Sequence, residues 1–376
     1  MAMDGMVFLA RCRRPARRAP LDRRRLPGAG RRRRIGMSTR VPVIALTGYL
    51  GAGKTTVLNR LLQTPGARLG VVVNDFGAIN VDAALVTGQV DQPASIAGGC
   101  LCCLPDTDGL DQALEKLTHP RLRLDAVIVE ASGVADPPAL ARLIRFSAVD
   151  RVRPGGLVDV VDAASYFDTV DRGGLPPARF ASATLVLINK TDRIPPEHRA
   201  ETVARISSRV RESNPRAHLV ETTHGRIDPV LVFDAASPHD PVDELPLAAL
   251  SRHEHDHDDE PHPRVDAVTV PATGPVDPGL LVDLIEDPPA NVYRLKGTVT
   301  VNTGPSTRGY VVNIVGRQVH VATRPVTEGP DGLVAIGMHL DVPTVRARLE
   351  AALQPRFERP AADGIRRLAR LRRLSP

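Results

Sequence analysis

Gly48-Tyr49-Leu50-Gly51-Ala52-Gly53-Lys54-Thr55-Thr56 decides the fold. The stretch has the spacing G-x-x-x-x-G-K-[ST], follows the apolar run Val41 to Thr47, and opens an amphipathic segment from Thr55 to Gln63. Strand, glycine loop and helix in that order make a phosphate-binding loop, because glycines let backbone N–H groups curl around phosphate oxygens at a helix N-terminus. Lys54 is then expected to reach the β- and γ-phosphates and the Thr55 hydroxyl to ligate Mg²⁺. Gly48, Gly51, Ala52, Gly53 and Thr56 complete the cradle.

Beyond this loop, short apolar runs read as buried parallel strands at Leu69 to Asn74, Asp125 to Glu130, Leu157 to Val161 and Thr184 to Asn189. Helical stretches lie between several of them, with prolines where a helix can begin, at Pro137-Pro138 and Pro195-Pro196. The alternation predicts an α/β domain of the P-loop type with a doubly wound, mostly parallel sheet. Around Ala236 to Pro263 the pattern gives way to Pro, Asp, Glu and His, as in a linker. A smaller α+β domain is expected beyond it, with strands at Arg264 to Val270, Val292 to Val301, Gly309 to Ile314 and Gln318 to Ala322. Its helices are expected at Pro278 to Ile285 and Val342 to Leu353. The resulting division is 1–36 (disordered Arg-rich extension), 37–236 (nucleotide domain), 237–263 (linker), 264–355 (second domain) and 356–376 (basic tail).

The formal charge of +6 is misleading, because residues 1–36 hold twelve arginines against Asp4 and Asp22 and the rest of the chain is mildly acidic. No nucleic-acid surface follows from it. No run approaches the roughly 18 to 20 apolar residues that span a bilayer, and Met6 to Ala10 is too short for a signal h-region, so the sequence reads as cytoplasmic. The arginine-rich leader lacks the Ser and the helical periodicity of an organellar transit peptide and reads instead as an untranslated or disordered extension, outside the fold, before a true start at Met37. Four lysines, Lys54, Lys116, Lys190 and Lys296, stand against forty-five arginines. Where composition favours arginine so strongly, a retained lysine points to a task the planar guanidinium does not perform.

Lys190 belongs to Asn189-Lys190-Thr191-Asp192, at the end of a predicted strand. An N-K-x-D loop resembles the base-reading element of P-loop GTPases. The Asp192 carboxylate accepts from guanine N1–H and the 2-amino group, whereas adenine offers neither donor and leaves a desolvated charge unpaired, which favours GTP over ATP. Glu130 ends the strand Ala126 to Val129 and is the leading candidate to hold Mg²⁺ beside the phosphate loop. With Lys54 and Thr55 it makes up the expected catalytic set. Asn74-Asp75-Phe76-Gly77 is the candidate first switch, with Asp75 near Mg²⁺ or the attacking water.

Three of the four cysteines fall in Gly98-Gly99-Cys100-Leu101-Cys102-Cys103. Thiolates suit Zn²⁺ or Cu(I), and Cys100, Cys102 and Cys103 can supply three corners of a tetrahedral site whose open fourth position suits transfer. A helix starting near Asp106 would aim its positive end at them and lower their pKa. A redox dithiol and inert buried cysteines are the alternatives. The linker packs His253, His255, His257 and His262 among five acidic residues, either a low-affinity auxiliary metal-collecting tract or a solvated linker.

These motifs, in this order and together with Arg294-x-Lys296-Gly297, resemble the CobW-type metallochaperone GTPases over about residues 41 to 353. The resemblance implies a G domain related to the urease and hydrogenase nickel-insertion GTPases, followed by a CobW C-terminal domain. It also implies GTP, Mg²⁺ and Zn²⁺ or Co²⁺ as ligands, slow GTP hydrolysis, a metal-requiring client protein, and a homodimer around nucleotide. The family pattern usually has Glu where this chain has Asp75. Two rival readings predict different behaviour: a GTPase assembly or signalling switch with merely structural cysteines, and an RNA-associated GTPase using the N-terminal arginines as an arm.

Overall fold

A computed structural model describes residues 40–73, 108–133, 135–173, 177–233, 265–326 and 331–375, together with the backbone of 5–10 and 90–96. The expected strand, loop and helix open the nucleotide domain as β2 (Val41–Gly48) and α1 (Lys54–Leu62), with Gly53 as the N-cap. Six parallel strands carry the sheet in the order β3 (Leu69–Val73), β5 (Ala126–Glu130), β2, β6 (Val152–Asp162), β7 (Leu185–Asn189) and β8 (His218–Glu221). Every residue of β3, β5 and β7 is buried, as in strands covered on both faces, whereas the edge strand β8 is only partly covered. One face packs on α2 (Asp108–Leu117), α3 (Pro137–Arg145) and α5 (Pro196–Ser213). The other face packs on α1. A one-turn helix, α4 (Tyr166–Thr169), follows β6.

Residues 1–36 were expected to lie outside the fold. At one place they do not: β1 (Gly5–Ala10) runs antiparallel between β3 and β4 (Val90–Ile96), extending the sheet to eight strands. A short apolar run can supply backbone hydrogen bonds to the open edge of β3, whatever the arginines that follow it. The strand β8 was also unforeseen, since four residues with polar ends carry no periodic signal.

The second domain is an antiparallel sheet in the order β12 (Gln318–Arg324), β11 (Thr307–Val315), β10 (Val292–Asn302), β13 (Asp331–Met338) and β9 (Val265–Ala272). The sequence reading missed β13 because its two glycines interrupt an apolar run without alternation. Leu295, Val299 and Val301 of β10 face α6 (Pro278–Glu286) and α7 (Val342–Leu353) in the core of this domain. The basic tail is a helix with a partner, α8 (Ala362–Leu374): its Leu368 is buried, and Arg367 reaches Asp283 and Glu286 of α6.

The opposite face of this sheet turns toward the nucleotide domain. Tyr293, Val315, Val334 and Ile336 join one hydrophobic cluster with Ile44, Leu46, Val158, Val160, Leu185 and Leu187. The Thr184 hydroxyl lies 3.1 Å from the Tyr293 hydroxyl, and Arg294 donates to the carbonyl of Val230 at 2.9 Å. Lys296 is buried on this face, in register with Asn313 of β11 and Val334 of β13. Asn313 is in turn in register with the buried His320 of β12.

Candidate functional site

Parallel strands deliver their C-terminal ends to one edge, so the strand order determines which side chains meet there. Glu130 pairs in register with Leu46, two residues before the phosphate loop, and the ends of β6 and β7 flank the loop on the other side. The structure thereby brings together Gly48 to Thr56, Glu130, Asn189 and Lys190.

Lys54 is buried, its ammonium donating to the carbonyls of Gly48 at 3.1 Å and Tyr49 at 3.3 Å, inside the curl of the loop. The Thr55 hydroxyl donates to Glu130 Oε1 at 3.0 Å. Glu130 is 2% exposed. A hydroxyl and a carboxylate at a helix N-terminus form a hard oxygen donor set, the kind that suits Mg²⁺. At Gly53, φ is 108°, and an added Cβ would sit 2.4 Å from Asn189 Nδ2, so only glycine lets the strand end close on the loop.

Asn189 acts as a clamp. Its Nδ2 donates to the carbonyl of Ala52 at 2.9 Å, and its Oδ1 accepts from the backbone N–H of Gly225 at 3.0 Å. Lys190 adopts the left-handed conformation, φ 61°, which a lysine adopts at a cost. That bend turns its ammonium back onto the carbonyl of Gly51 (2.5 Å) and Asp162 Oδ2 (2.8 Å). Asp192 is exposed in the turn Thr191–Arg193 at the same edge, beside the buried Thr191. Thr56 is exposed one turn into α1.

Two participants were not anticipated. The loop after β8, Thr222 to Gly225, closes the site from the far side: Thr191 donates its hydroxyl to the carbonyl of Thr222, and Arg60 of α1 holds the carbonyl of His224. Asp162, at the end of β6, is the ion partner of Lys190. A strand end followed by small polar residues and glycine was the available signal for the first; Asp162 carried none. Asp75, the cysteines Cys100, Cys102 and Cys103, and the linker histidines His253, His255, His257 and His262 lie outside the described residues. Among the described residues no group of three or more His, Cys, Asp or Glu side chains is placed to hold a metal ion, and no helix is long and apolar enough to cross a membrane.

Residues 42–221 match the model of the CobW/HypB/UreG nucleotide-binding domain, and residues 265–353 match that of the cobalamin synthesis protein CobW C-terminal domain. The chain belongs to the CobW family. Among relatives, a zinc chaperone named YjiA from Escherichia coli is 30% identical over 200 residues, 52% of this chain and 61% of that protein. The chain thus spans less than two thirds of that CobW-family relative. A zinc chaperone named CobW from a Sinorhizobium species is 27% identical over 353 residues, covering 83% of this chain and 97% of that one. The crystal structure of Zn(II)-bound YjiA GTPase from E. coli covers 83% of this chain and 99% of that chain at 22% identity, with a TM-score of 0.39.

Proposed function

We propose that this CobW-family chain is a GTP-hydrolysing metal carrier, which takes zinc or cobalt on Cys100, Cys102 and Cys103 and passes it to a client protein under nucleotide control. The observation that carries the reading is the contact of Thr55 with Glu130 at the mouth of a glycine loop whose lysine is already folded inward. The relatives named zinc chaperones support the choice of cargo.

In this reading Lys54 exchanges the carbonyls of Gly48 and Tyr49 for the β- and γ-phosphate oxygens, and the loop amides and the α1 N-terminus take the remaining phosphate charge. Asp192 reads guanine N1–H and the 2-amino group, and the Lys190 stem lies along the base. Asn189 keeps strand end and loop at fixed separation. Thr55 and Glu130 would hold Mg²⁺, with Asp75 as a further candidate, and the ion would neutralise charge on the β- and γ-oxygens. Water adds to the γ-phosphorus and the bond to the β–γ bridging oxygen breaks, giving GDP and phosphate.

The cysteines stand between the candidate first switch and Glu130 in sequence, so ordering of that stretch by GTP would gather the thiolates and hydrolysis would release them. By linkage, metal must then change GTP affinity by the same factor, on the order of 1–3 kcal/mol. The histidine tract collects metal at lower affinity. A chelator-competition titration of Zn²⁺ and Co²⁺ on the full chain, without nucleotide, with GDP, and with a non-hydrolysable GTP analogue and Mg²⁺, tests this. Metal affinity that depends on nucleotide and is lost in a Cys100→Ser, Cys102→Ser, Cys103→Ser triple variant is the expected result. Identical curves in all three states would reject nucleotide control.

A further inference from the structure

Asp159 is a buried charge that the phosphate site does not use. It lies in β6 at 0% exposure, in register with Thr47 of β2, the last residue before the phosphate loop begins. A lone carboxylate is costly in such a place. The chain surrounds it with donors: the Thr47 hydroxyl gives to Oδ1 at 3.1 Å, and Arg179 gives from Nη2 to Oδ1 and from Nε to Oδ2, both at 2.9 Å. The two parallel bonds fix the plane of the guanidinium as well as its position. Burial alone would weaken its positive charge, but Asp159 more than offsets that and holds the Arg179 pKa above its ordinary value.

The guanidinium carbon lies 6.0 Å from the centroid of the Tyr49 ring, the residue after Gly48. The Tyr49 carbonyl accepts from the backbone N–H of Ala52 at 3.1 Å and from the Lys54 ammonium at 3.3 Å, so the position of Tyr49 shapes the first turn of the loop. One ion pair therefore touches the loop at its entry, through Thr47, and again two residues further on, through Tyr49. Arg179 is not needed to anchor its own segment. That short helix, Ala178–Ser182, is already fastened by Asn214 Nδ2, which donates to the carbonyls of Phe180 at 3.0 Å and Ala183 at 2.8 Å, and by the fully buried Phe180 ring.

We propose that Arg179 is a positioning residue for phosphate binding: locked by Asp159, it supports Tyr49 and holds the Gly48–Ala52 turn in its receiving shape before nucleotide arrives. The inference rests on the reading of this loop as a GTP site. Preforming the loop removes an ordering cost from binding. That cost is common to GTP and GDP, because both present the β-phosphate.

The test is a double-mutant cycle on the full chain with Tyr49→Leu and Arg179→Gln, reading the Kd of GTP and GDP with Mg²⁺ and the kcat and KM of hydrolysis. Each single variant should raise Kd for both nucleotides by about two- to fivefold, the range of a cation–π contact on a ring that is 39% exposed. The double variant should be no worse than the weaker-binding single, with kcat at saturation near that of the parent. Since Arg179→Gln alone strands a buried carboxylate and can impair folding, an Asp159→Asn, Arg179→Gln variant removes both charges; it should fold and still bind weakly. Arg209→Gln breaks a comparable pair with Asp171 that ties α5 to the segment after β6, and should lower Tm without moving Kd. Strict additivity in the cycle, restored affinity in the charge-free variant, or an equal Kd change in Arg209→Gln would overturn the proposal. A parent protein that takes ATP in place of GTP overturns the guanine reading alone. One that binds GTP regardless of Arg179 overturns the positioning role alone.

Discussion

The hydroxyl of Thr55 lies 3.0 Å from Oε1 of Glu130, joining the second residue of α1 to the last residue of β5. Neither group is spare in the nucleotide reading, since both would leave this contact to hold Mg²⁺. Glu130→Gln keeps the size and can still accept the Thr55 hydroxyl, but it removes the charge. Mg²⁺ affinity in the presence of GTP should fall about 10- to 100-fold, with hydrolysis falling in step and Tm close to the parent. Phosphate release measured against Mg²⁺ concentration checks this; activity that saturates at the same Mg²⁺ level in both proteins would exclude Glu130 as a ligand.

Asp192 stands exposed at the rim, within the turn that follows Asn189. Asp192→Asn replaces one acceptor oxygen with an amide donor, which repels the guanine 2-amino group and complements the 2-oxo group of xanthine. The ratio of affinities for GTP and xanthosine triphosphate should swing by at least about 100-fold. Competition of the two nucleotides for one site reads it directly, and an unchanged ratio would mean that Asp192 does not face the base.

Gly53→Ala should be severe for two separate reasons: the backbone there has φ 108°, and the new methyl carbon would collide with Asn189 Nδ2. Pushing Asn189 aside breaks its bonds to Ala52 and Gly225 and leaves buried polar groups unpaired, at about 1–3 kcal/mol each. The expected result is a lower Tm and no measurable nucleotide binding. An Asn189→Ala, Gly53→Ala variant relieves the collision and should recover part of the Tm but not the binding.

His218 packs its ring 4.8 Å from that of Tyr293, where the two domains meet. Burial pushes its pKa down to about 4 from an ordinary 6.5, so it is neutral in the folded protein while the unfolded chain takes up a proton below pH 6.5. The stabilisation is complete above that value and is lost as pH falls toward about 4, by up to about 3 kcal/mol. His218→Gln should flatten the fall in Tm between pH 7 and 4.5 relative to the parent. Parallel curves for the two proteins would show that the ring is not held neutral.

What could be read in the sequence was what chemistry permits in few ways. A loop that wraps phosphate needs Gly48, Gly53 and Lys54, and these stand at their required spacing; Asn189 and Glu130 announced themselves by ending apolar runs. In a chain with four lysines, Lys54 and Lys190 were conspicuous. By the same measure Arg179 was invisible, one among forty-five arginines, and its role depends on Thr47, Asp159 and Tyr49, which only the folded sheet brings near. The strand β8 escaped because four residues are too few to show a period, β13 because its glycines leave an apolar run without alternation, and β1 because its apolar run sits beside a leader too charged to suggest a sheet. The register that places Val334 and Ile336 against the back of the nucleotide domain leaves no trace in local pattern at all.

That shared cluster has a consequence for how the molecule can be divided. Two family models meet this chain as separate modules, yet Val158, Val160, Leu185 and Val220 lie in one cluster with Tyr293, Val315, Val334 and Ile336. A fragment ending near residue 233 would present that oily back to water and tend to clump. The two halves should therefore melt in a single calorimetric event, and neither can be exchanged for its counterpart from a relative unless the residues on both sides of the seam travel together.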